Sequence, residues 1–294
     1  MVIVRLTGGL GNQMFQYAAG RALADRLGAE LLLDTRAFDH ALAFQAYTRR
    51  AYALSPFKLR ATLAAPVDLK NWPVWVVEIG MRLRFVRPLF RPWHFESLIT
   101  YDPSVRALHE PVCLVGYWQS ERYFIDIADR IRADFTLRQP LAGANARLLE
   151  LARSDRSVGL HVRRGDFISL IDAAQVHGLC SVDYYRRAIS LVRNRCPGCR
   201  FLVFSDDPEW ARAALPLDPS AVFVTGNDPS PEQDLALMSA CKHHIIANSS
   251  FSWWAGWLGY SPDQIVIAPS PWYASPKLDA RDLAVPRWQY ISRL

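Results

Sequence analysis

Residues 158–167 read VGLHVRRGDF, an apolar run that ends in two arginines, a glycine and an aspartate. An uninterrupted apolar run is typical of a strand buried on both faces, as the strands of parallel sheets are. Ligands of such sheets bind beyond the carboxyl ends of the strands. Arg163, Arg164 and Asp166 follow the run at that point, so they are either solvated surface charge or part of a site for an anion.

Similar units fill the second half of the chain, where short apolar segments alternate with segments of helical periodicity. The predicted strands are 157–163, 201–205, 221–224, 243–247 and 264–268, and the predicted helices are 182–194, 208–215, 231–241 and 251–259. This alternation favours a parallel sheet that is covered by helices on both faces.

The first half opens with a strand, a helix and a second strand. The predicted elements are the strands 2–6, 29–34 and 112–118, and the helices 14–27 and 120–135. The intervening residues 35–110 are rich in Trp, Pro and Arg, and their periodicity is too weak to predict elements. We therefore expect an α/β fold of two Rossmann-type domains, residues 1–150 and 151–294, that face each other across a cleft.

Composition limits the class of protein. The chain is 51% hydrophobic and 21% charged, which is typical of a globular protein. Its net charge is +6, but its 30 arginines are spread along the chain, which argues against a nucleic-acid-binding arm. No signal-peptide pattern and no run of about 20 apolar residues is seen. We expect a cytoplasmic protein that binds no nucleic acid, in which CPGC (196–199) forms a turn.

The first strand end with unusual chemistry is LHVRRGDF (160–167). His161 and Arg163 alternate along the strand and therefore share one face of its end. The planar fork of an arginine matches phosphate oxygens, although a charged cluster that merely closes a strand is the alternative. Arg164 points the other way and fits that alternative better.

The second strand end is FSDDPEW (204–210). Asp207 is the predicted N-cap of a helix that has Pro208 at its first position. Asp206 has no such local role in the pattern. A carboxylate at that strand tip is therefore predicted to accept hydrogen bonds from a base edge or a ribose.

The third strand end is IIANSSFSWWAGWLG (245–259), in which a helix begins near Phe251. Asn248, Ser249 and Ser250 lie at the mouth of that helix. Its N–H groups and dipole favour an anion, and the serine hydroxyls add donors. Capping of the helix is the alternative, because Ser and Asn are preferred caps.

The loop LTGGLGNQ (6–13) follows the first strand. Gly9 and Gly11 allow the backbone to approach a ligand closely, although the spacing is not that of a dinucleotide fingerprint. Asn12 and Gln13 can donate to sugar or phosphate oxygens. N-capping by Asn12 is the alternative.

Taken together, GGLGNQMFQYA, HVRRGDF, FSDDPEW and DLALMSACKHHIIANSSFSWWAGWL resemble, in this order, the bacterial α-1,2-fucosyltransferases of glycosyltransferase family 11. The resemblance implies a GT-B-like fold with an acceptor-side domain (1–150) and a GDP-sugar-binding domain (151–294). It also implies inverting transfer of L-fucose from GDP-β-L-fucose to the 2-hydroxyl of a galactose. Neither a metal nor a cofactor is implied.

The resemblance also implies roles for single residues. Arg163 would hold the pyrophosphate, and Asp206 would lie near the guanine. The further implied contacts are the nucleoside for His161, the phosphates and guanine for Ser249, Ser250 and Phe251, and the sugar for Gly9, Gly11 and Asn12. We expect Arg163, Asn12 and Asp166 to be the residues closest to the chemistry.

The mechanism leaves one role open. As the bond to GDP breaks, negative charge grows on the leaving phosphate, and a preorganised arginine can stabilise it without a cation. The acceptor hydroxyl must also lose a proton. Asp166 is either the general base or a carboxylate that orients Arg163 or Arg164.

The substrates leave alternatives open as well. Another GDP-deoxysugar would use the same phosphate site, and a nucleotide- or glycan-binding protein without activity would share these motifs. The expected acceptor is a galactose-terminated surface glycan such as an O-antigen unit, and a lipid-linked acceptor would bring the chain to the inner face of the membrane. Tyr117 and Trp118 are candidate sugar contacts, with packing as the stronger alternative.

Overall fold

A computed structural model of the chain describes residues 1–39, 50–97, 100–165 and 175–294. Its eleven described strands are β1 (Val2–Arg5), β2 (Leu31–Asp34), β3 (Thr62–Leu63), β4 (Trp93–Phe95), β5 (Val112–Val115), β6 (Ser157–Val162), β7 (Arg200–Ser205), β8 (Val222–Val224), β9 (His243–Ile245), β10 (Val266–Ser270) and β11 (Gln289–Ser292). They form one sheet of order β3-β2-β1-β5-β4 and a second of order β11-β10-β9-β6-β7-β8. Every pairing is parallel, so the predicted α/β class with two Rossmann-type sheets is confirmed.

Helices connect these strands. The described α-helices are α1 (Leu10–Leu27), α2 (Arg36–Asp39), α3 (Val74–Arg82), α4 (Ala128–Asp134), α5 (Gly143–Ala152), α6 (Val182–Arg195), α7 (Pro208–Ala214), α8 (Pro231–Ser239) and α9 (Ser250–Leu258). Short 3-10 helices lie at Arg84–Phe90, Pro103–Ala107, Glu121–Tyr123, Ile125–Ile127 and Arg281–Leu283. No described helix is both long and apolar enough to cross a bilayer.

The single helix predicted over 120–135 is wrong. Ser120 caps a first 3-10 turn by accepting from the Arg122 N–H, and Phe124 then leaves the helical region with φ −137°. Phe124 is fully buried, so burying its ring takes precedence over continuing the helix. A second 3-10 turn and α4 complete the segment.

The chain divides into two compact units. One comprises Met1–Thr136 with Arg281–Ala284, and the other comprises Leu137–Ala280 with Val285–Leu294. We expected the division at residue 150, whereas α5 lies with the second unit. Asn145 on α5 donates from Nδ2 to Asn227 Oδ1 (2.6 Å) and to Gln233 Oε1 (2.7 Å), which fastens this helix to the loop and helix that follow β8.

The second sheet has the buried strands that its sequence predicts. Val158, Leu160 and Val162 of β6 belong to an apolar cluster with Tyr184 and other residues of α6. The opposite face of the same strand has no room for a side chain at one position. A Cβ on Gly159 would lie 3.0 Å from Met238 Cγ, so glycine lets α8 approach the sheet closely. This packing fixes the position of the end of β6 relative to α8.

The first sheet holds a buried ion cluster at the end of β2. Asp34 is fully buried and pairs with Arg5 of β1 at 3.4 Å. Arg36 donates to both carboxylate oxygens of Asp34 at 2.9 Å. Burial alone would raise the pKa of Asp34, but the Arg36 hydrogen bonds and the Arg5 charge hold it below its usual value. Asp34 therefore stabilises the sheet and is not available to a ribose.

Candidate functional site

Arg163 follows β6 and is held by a carboxylate from the neighbouring strand. Its Nη1 lies 2.8 Å from Asp206 Oδ2, and about a quarter of its side chain is exposed. Asp206 also accepts from the N–H groups of Arg164 (2.8 Å) and Gly165 (3.0 Å). Asp206 does not cap α7, as predicted, but this carboxylate orders the chain after β6 through bonds that the sequence interpretation did not anticipate.

Gly165 is part of the same arrangement. A Cβ at this position would lie 2.9 Å from Asp206 Oδ2, the atom that its N–H donates to. A side chain would push the carboxylate away from the backbone. Glycine thus lets the loop after β6 close over the end of β7.

Arg164 is directed onto the next helix. It donates from Nε to Asp207 Oδ2 (3.1 Å), and its guanidinium lies 3.9 Å from the ring centroid of Trp210. Asp207 accepts from the Trp210 N–H at 3.2 Å, which confirms it as the N-cap of α7. The two adjacent arginines therefore differ: Arg164 fastens α7, and Arg163 lies at the strand end.

His161 is buried beside the first turn of α9. Only 6% of its surface is exposed, and its ring centroid lies 5.4 Å from that of Phe251. Burial, and secondarily the charge of Arg163, lower its pKa to about 3. The imidazole is therefore neutral near pH 7. Its Nδ1 is buried without a hydrogen-bond partner among the described residues.

The mouth of α9 differs from a capped helix. Ser249 occupies the N-cap position, yet its side chain makes no capping hydrogen bond. The capping alternative is therefore not observed for Ser249. Ser250 is the first residue of α9, and the N–H groups of a first helical turn lack helical acceptors. These N–H groups and both hydroxyls can serve as donors to an anion.

Asn248 does not belong to that mouth. Its side chain is buried and donates from Nδ2 to the carbonyls of His177, Gly178 and Trp272, at 2.9, 3.0 and 3.1 Å. These bonds tie three loops together. The sequence interpretation placed Asn248 at the helix mouth with the two serines, whereas its side chain is committed to these structural bonds.

The second unit brings the predicted donor residues to one edge of its sheet. β6 has β7 and β9 as its neighbours, with Leu160 opposite Val203 and Ile245. Neighbouring strands lie about 4.8 Å apart. The ends of these three strands, the loops that follow them and the first turn of α9 supply His161, Arg163, Asp206, Ser249, Ser250 and Phe251. An arginine, a neutral histidine and a helix amino terminus thus share one strand-end edge.

In the first unit, the loop between β1 and α1 differs from the sequence interpretation. Gly8 has φ +76°, the left-handed region that favours glycine, whereas Gly9 is the N-cap residue with φ −79°. The backbone need for glycine therefore lies at Gly8. Gly11 lies within α1. The contacts with the sugar that are predicted for Gly9 and Gly11 stay predictions.

Asn12 is the third residue of α1 and not its cap. Its Oδ1 accepts from Gln119 Nε2 at 2.9 Å, which joins the glycine loop to the segment after β5. Gln13 is buried, donates to the Gly8 and Ala51 carbonyls, and is committed to structure. Of the two amides, Asn12 is the one that remains partly exposed.

Glu96 is a candidate functional residue that the sequence interpretation missed. It follows β4, and its carboxylate accepts from the N–H groups of Tyr117 (2.7 Å) and Trp118 (2.9 Å). Burial raises the pKa of Glu96 to about 7, although these two donors oppose the shift. WHFE (93–96) carries the same signal as FSDD, a short apolar strand with a carboxylate at its tip.

The segment after β5 is shaped around Glu96. A Cβ on Gly116 would lie 2.3 Å from the Glu96 Cβ. Trp118 is the one non-glycine residue among those described that has a positive φ, at +57°. Such a conformation costs free energy and persists only when packing enforces it. Trp118 is fully buried and stacks on His94 at 5.8 Å, whereas Tyr117 is 44% exposed.

Three further predictions concern Asp166, metal ions and the turn at CPGC (196–199). Asp166 lies outside the described residues. Within the described ranges, no three His, Cys, Asp or Glu side chains are grouped to hold a metal ion. Cys196 and Cys199 lie at the predicted turn between α6 and β7, where the Cys199 N–H donates to the Cys196 carbonyl at 3.2 Å. A reaction without metal or cofactor stays a prediction.

Comparison with known proteins identifies the family. Residues 101–292 match the model of glycosyl transferase family 11. The chain belongs to this family. One relative covers it from end to end: an alpha-1,2-colitosyltransferase of Escherichia coli is 34% identical over 100% of this chain and 99% of its own length.

Other relatives of this family 11 glycosyltransferase differ in name. The O-antigen biosynthesis glycosyltransferase WbnK of Escherichia coli is 31% identical over 92% of this chain and 94% of its own length. Galactoside alpha-(1,2)-fucosyltransferase 1 of Leontocebus fuscicollis is 31% identical over 85% of this chain and 63% of its own length. The fucosyltransferase NodZ from Bradyrhizobium superposes with a TM-score of 0.49 at 16% identity, over 86% of this chain and 91% of its own.

Proposed function

We propose that this family 11 glycosyltransferase transfers L-fucose from GDP-β-L-fucose to the 2-hydroxyl of a terminal galactose, with inversion and without a metal or cofactor. The 31% identity with a galactoside alpha-(1,2)-fucosyltransferase supports this choice of sugar, acceptor and linkage. The acceptor is a surface glycan of the O-antigen type, in keeping with the name of the relative WbnK.

The observation that carries the proposal is the strand-end edge of the second unit. Arg163, held at 2.8 Å by Asp206, follows β6, and the uncapped mouth of α9 follows the neighbouring strand β9. His161 and Phe251, 5.4 Å apart, link these two elements. A diphosphate is the ligand that matches one fixed arginine fork and a set of helix N–H donors.

Departure of GDP is the step that this edge accelerates. Electrons of the breaking bond between the sugar carbon and oxygen move to the β-phosphate of GDP, which gains negative charge. Arg163 and the α9 donors stabilise that charge with dipoles that are already oriented, so no reorganisation is needed. His161, neutral because its pKa is about 3, can offer a hydrogen bond but not a second positive charge.

Glu96 is our candidate for the group that takes the proton of the acceptor hydroxyl. Its pKa of about 7 matches the value at which a general base is both deprotonated and basic enough. Through Tyr117 and Trp118 it is joined to the segment whose Gln119 bonds to Asn12. Asp166 remains the alternative base.

Transfer of colitose is a second candidate. An alpha-1,2-colitosyltransferase is 34% identical over the whole chain. Colitose is fucose without its 3-hydroxyl. A site that hydrogen-bonds this hydroxyl rejects the deoxy sugar by about ten-thousandfold or more, whereas an apolar site separates the two only weakly.

A comparison of the two donors separates the two candidate functions. The purified chain is given GDP-fucose and GDP-colitose in turn, with a panel of β-galactosides and lactose, without added metal and with EDTA. Products are identified by mass spectrometry and linkage analysis. We expect a 1,2-linked fucoside and a kcat/KM for GDP-fucose that exceeds that for GDP-colitose.

The other outcomes revise the proposal in defined ways. A higher kcat/KM with GDP-colitose makes the chain a colitosyltransferase. If only UDP- or dTDP-sugars give product, the assignment of a GDP-binding site is contradicted. Binding of GDP, measured by calorimetry, without product from any donor and acceptor would indicate a nucleotide-binding protein that lacks activity.

A further inference from the structure

Exposed apolar side chains are concentrated in one part of the first unit. Eleven large hydrophobic residues are exposed in the described structure, and seven of them lie within residues 63–89. Five belong to α3 and the 3-10 helix Arg84–Phe90 or to the residue between them, with exposed fractions of 45–79%: Trp75, Met81, Leu83, Phe85 and Leu89. We call these five residues, with Arg82 and Arg91, the α3 patch.

The α3 patch is not the inner face of an amphipathic helix. Val76 and Val77 of α3 already face the core of the first unit, where they pack with Trp72 and Trp93. A surface helix normally carries polar residues opposite its core face. Here two large apolar side chains of α3, Trp75 and Met81, are exposed as well. Single exposed apolar residues need no explanation, but a group of them marks an interaction surface.

The two helices of the patch form one continuous surface. Arg87 donates from Nε to the Gly80 carbonyl at 2.8 Å, which ties the 3-10 helix to the last turn of α3. The rings of Trp75 and Phe90 meet at 6.1 Å between centroids. α3 and the 3-10 helix that carries Phe85 and Leu89 are therefore packed against each other.

The carboxyl-terminal part of the α3 patch is rich in arginine, whereas α3 itself also contains Glu78. Residues 81–92 contain four arginines and no carboxylate. Arg82 and Arg91 are exposed among the apolar side chains. Next to them, the described lining of a cavity of about 540 Å³ includes Arg87, Arg91, His94 and His109 and no Asp or Glu.

We propose that the α3 patch binds the surface of an anionic phospholipid bilayer. Tryptophan, phenylalanine and leucine enter the boundary between headgroups and acyl chains, and arginines beside them pair with lipid phosphates. The arginine-lined cavity adds room for a phosphate headgroup. A second copy of the chain is a poorer partner, because a twofold contact would set the arginines of one patch against those of the other.

Vesicle binding tests the proposal without any donor or acceptor, so it is independent of the sugar that the chain transfers. The full chain is sedimented with vesicles of phosphatidylglycerol and phosphatidylcholine, and with vesicles of phosphatidylcholine alone. We expect binding to the anionic vesicles that weakens as salt is raised. Phe85→Ser with Leu89→Ser should lower the partition coefficient by about tenfold or more.

Matched variants separate charge, apolar contact and folding. Arg82→Gln with Arg91→Gln should lower binding to anionic vesicles by about tenfold and leave the weak binding to neutral vesicles unchanged. Tyr260→Ser with Leu294→Ser removes two exposed apolar residues of the second unit and should leave binding unchanged. Thermal unfolding of each variant verifies that its fold is retained.

Three outcomes would overturn the proposal. The first is no binding of the unaltered chain to anionic vesicles. The second is an equal loss in the Tyr260 and Leu294 control. The third is light scattering that shows a dimer which Phe85→Ser with Leu89→Ser converts to a monomer, since the patch would then bind a second copy of this chain.

Discussion

The two sheets of this glycosyltransferase have the same architecture, yet their carboxyl edges carry opposite chemistry. In the second unit, the loops after β6, β7 and β9 bring together Arg163, a helix amino terminus and a neutral histidine. In the first unit, the segments after β1, β4 and β5 bring together amides and Glu96. One edge suits an anion, and the other suits hydroxyl groups and a proton.

This difference shows that a parallel sheet determines where a site lies, whereas the loops determine what it binds. Arg163 and Glu96 both follow a short buried strand. Arg163 is paired with Asp206, whereas Glu96 is held by two backbone N–H groups and is partly desolvated. The comparison therefore predicts that changes at the two edges separate binding of the donor from activation of the acceptor.

The largest effect is expected at Arg163. In Arg163→Ala, the leaving phosphate loses its charged donor, which costs about 3 kcal/mol, so kcat/KM should fall by at least about a hundredfold. Steady-state kinetics and calorimetry with GDP measure the loss. Arg212→Ala, which removes an arginine stacked on Phe223 in the same unit, is the control and should keep its activity. A folded Arg163→Ala variant with full activity would contradict the assignment of the donor edge.

Glu96→Gln should have the next largest effect, of about a hundredfold on kcat, because general bases typically contribute that much or more. GDP affinity should be unchanged. The carboxylate is the active form, so kcat/KM of the unaltered enzyme should rise with pH through about 7 and then level off. The variant should lose this rise. If it retains the rise at a lower rate, Glu96 is structural and Asp166→Asn is the next variant to test.

Asp206→Asn should lower kcat/KM by about tenfold, since Arg163 loses the charge that holds it. Affinities for GDP and for inorganic pyrophosphate distinguish two roles of Asp206. If it positions Arg163, both affinities fall. If it contacts the guanine, as the family resemblance implies, only the affinity for GDP falls.

The smallest effect is expected at the mouth of α9. Ser249→Ala should weaken GDP binding about fivefold, which corresponds to about 1 kcal/mol, the typical value of one hydrogen bond, and leave the melting temperature unchanged. Calorimetry and thermal unfolding measure the two quantities. A lower melting temperature with unchanged GDP affinity would restore the capping interpretation that the structure does not support.

The second sheet was predicted well because its strands are continuous apolar runs. The first sheet was predicted only in part, since β3 has two residues and β4 has three, too few to show a period. β11 was missed because its four residues QYIS are mixed in character and none is buried. Local patterns identify elements only when burial repeats along them.

The site was predictable where one strand end carries the information, as at His161 and Arg163. It was not predictable where two distant loops meet. The Asp206 bonds to the N–H groups of Arg164 and Gly165 span more than 40 residues, and the bond from Gln119 to Asn12 spans 107. Glu96 had a visible signal, but it lay in residues 35–110, where no strand was predicted.

The buried imidazoles have a consequence for proton linkage. The pKa of His161 is lowered to about 3 by burial and by Arg163, and burial lowers that of fully buried His244 to about 4. In the unfolded chain each imidazole binds a proton near pH 6.5, whereas in the native chain it stays neutral at that pH. Both groups therefore favour the native state above pH 6.5. As the pH falls below 6.5, each imidazole lowers the free energy of unfolding by up to about 1.4 kcal/mol per pH unit, until the native ring is itself protonated.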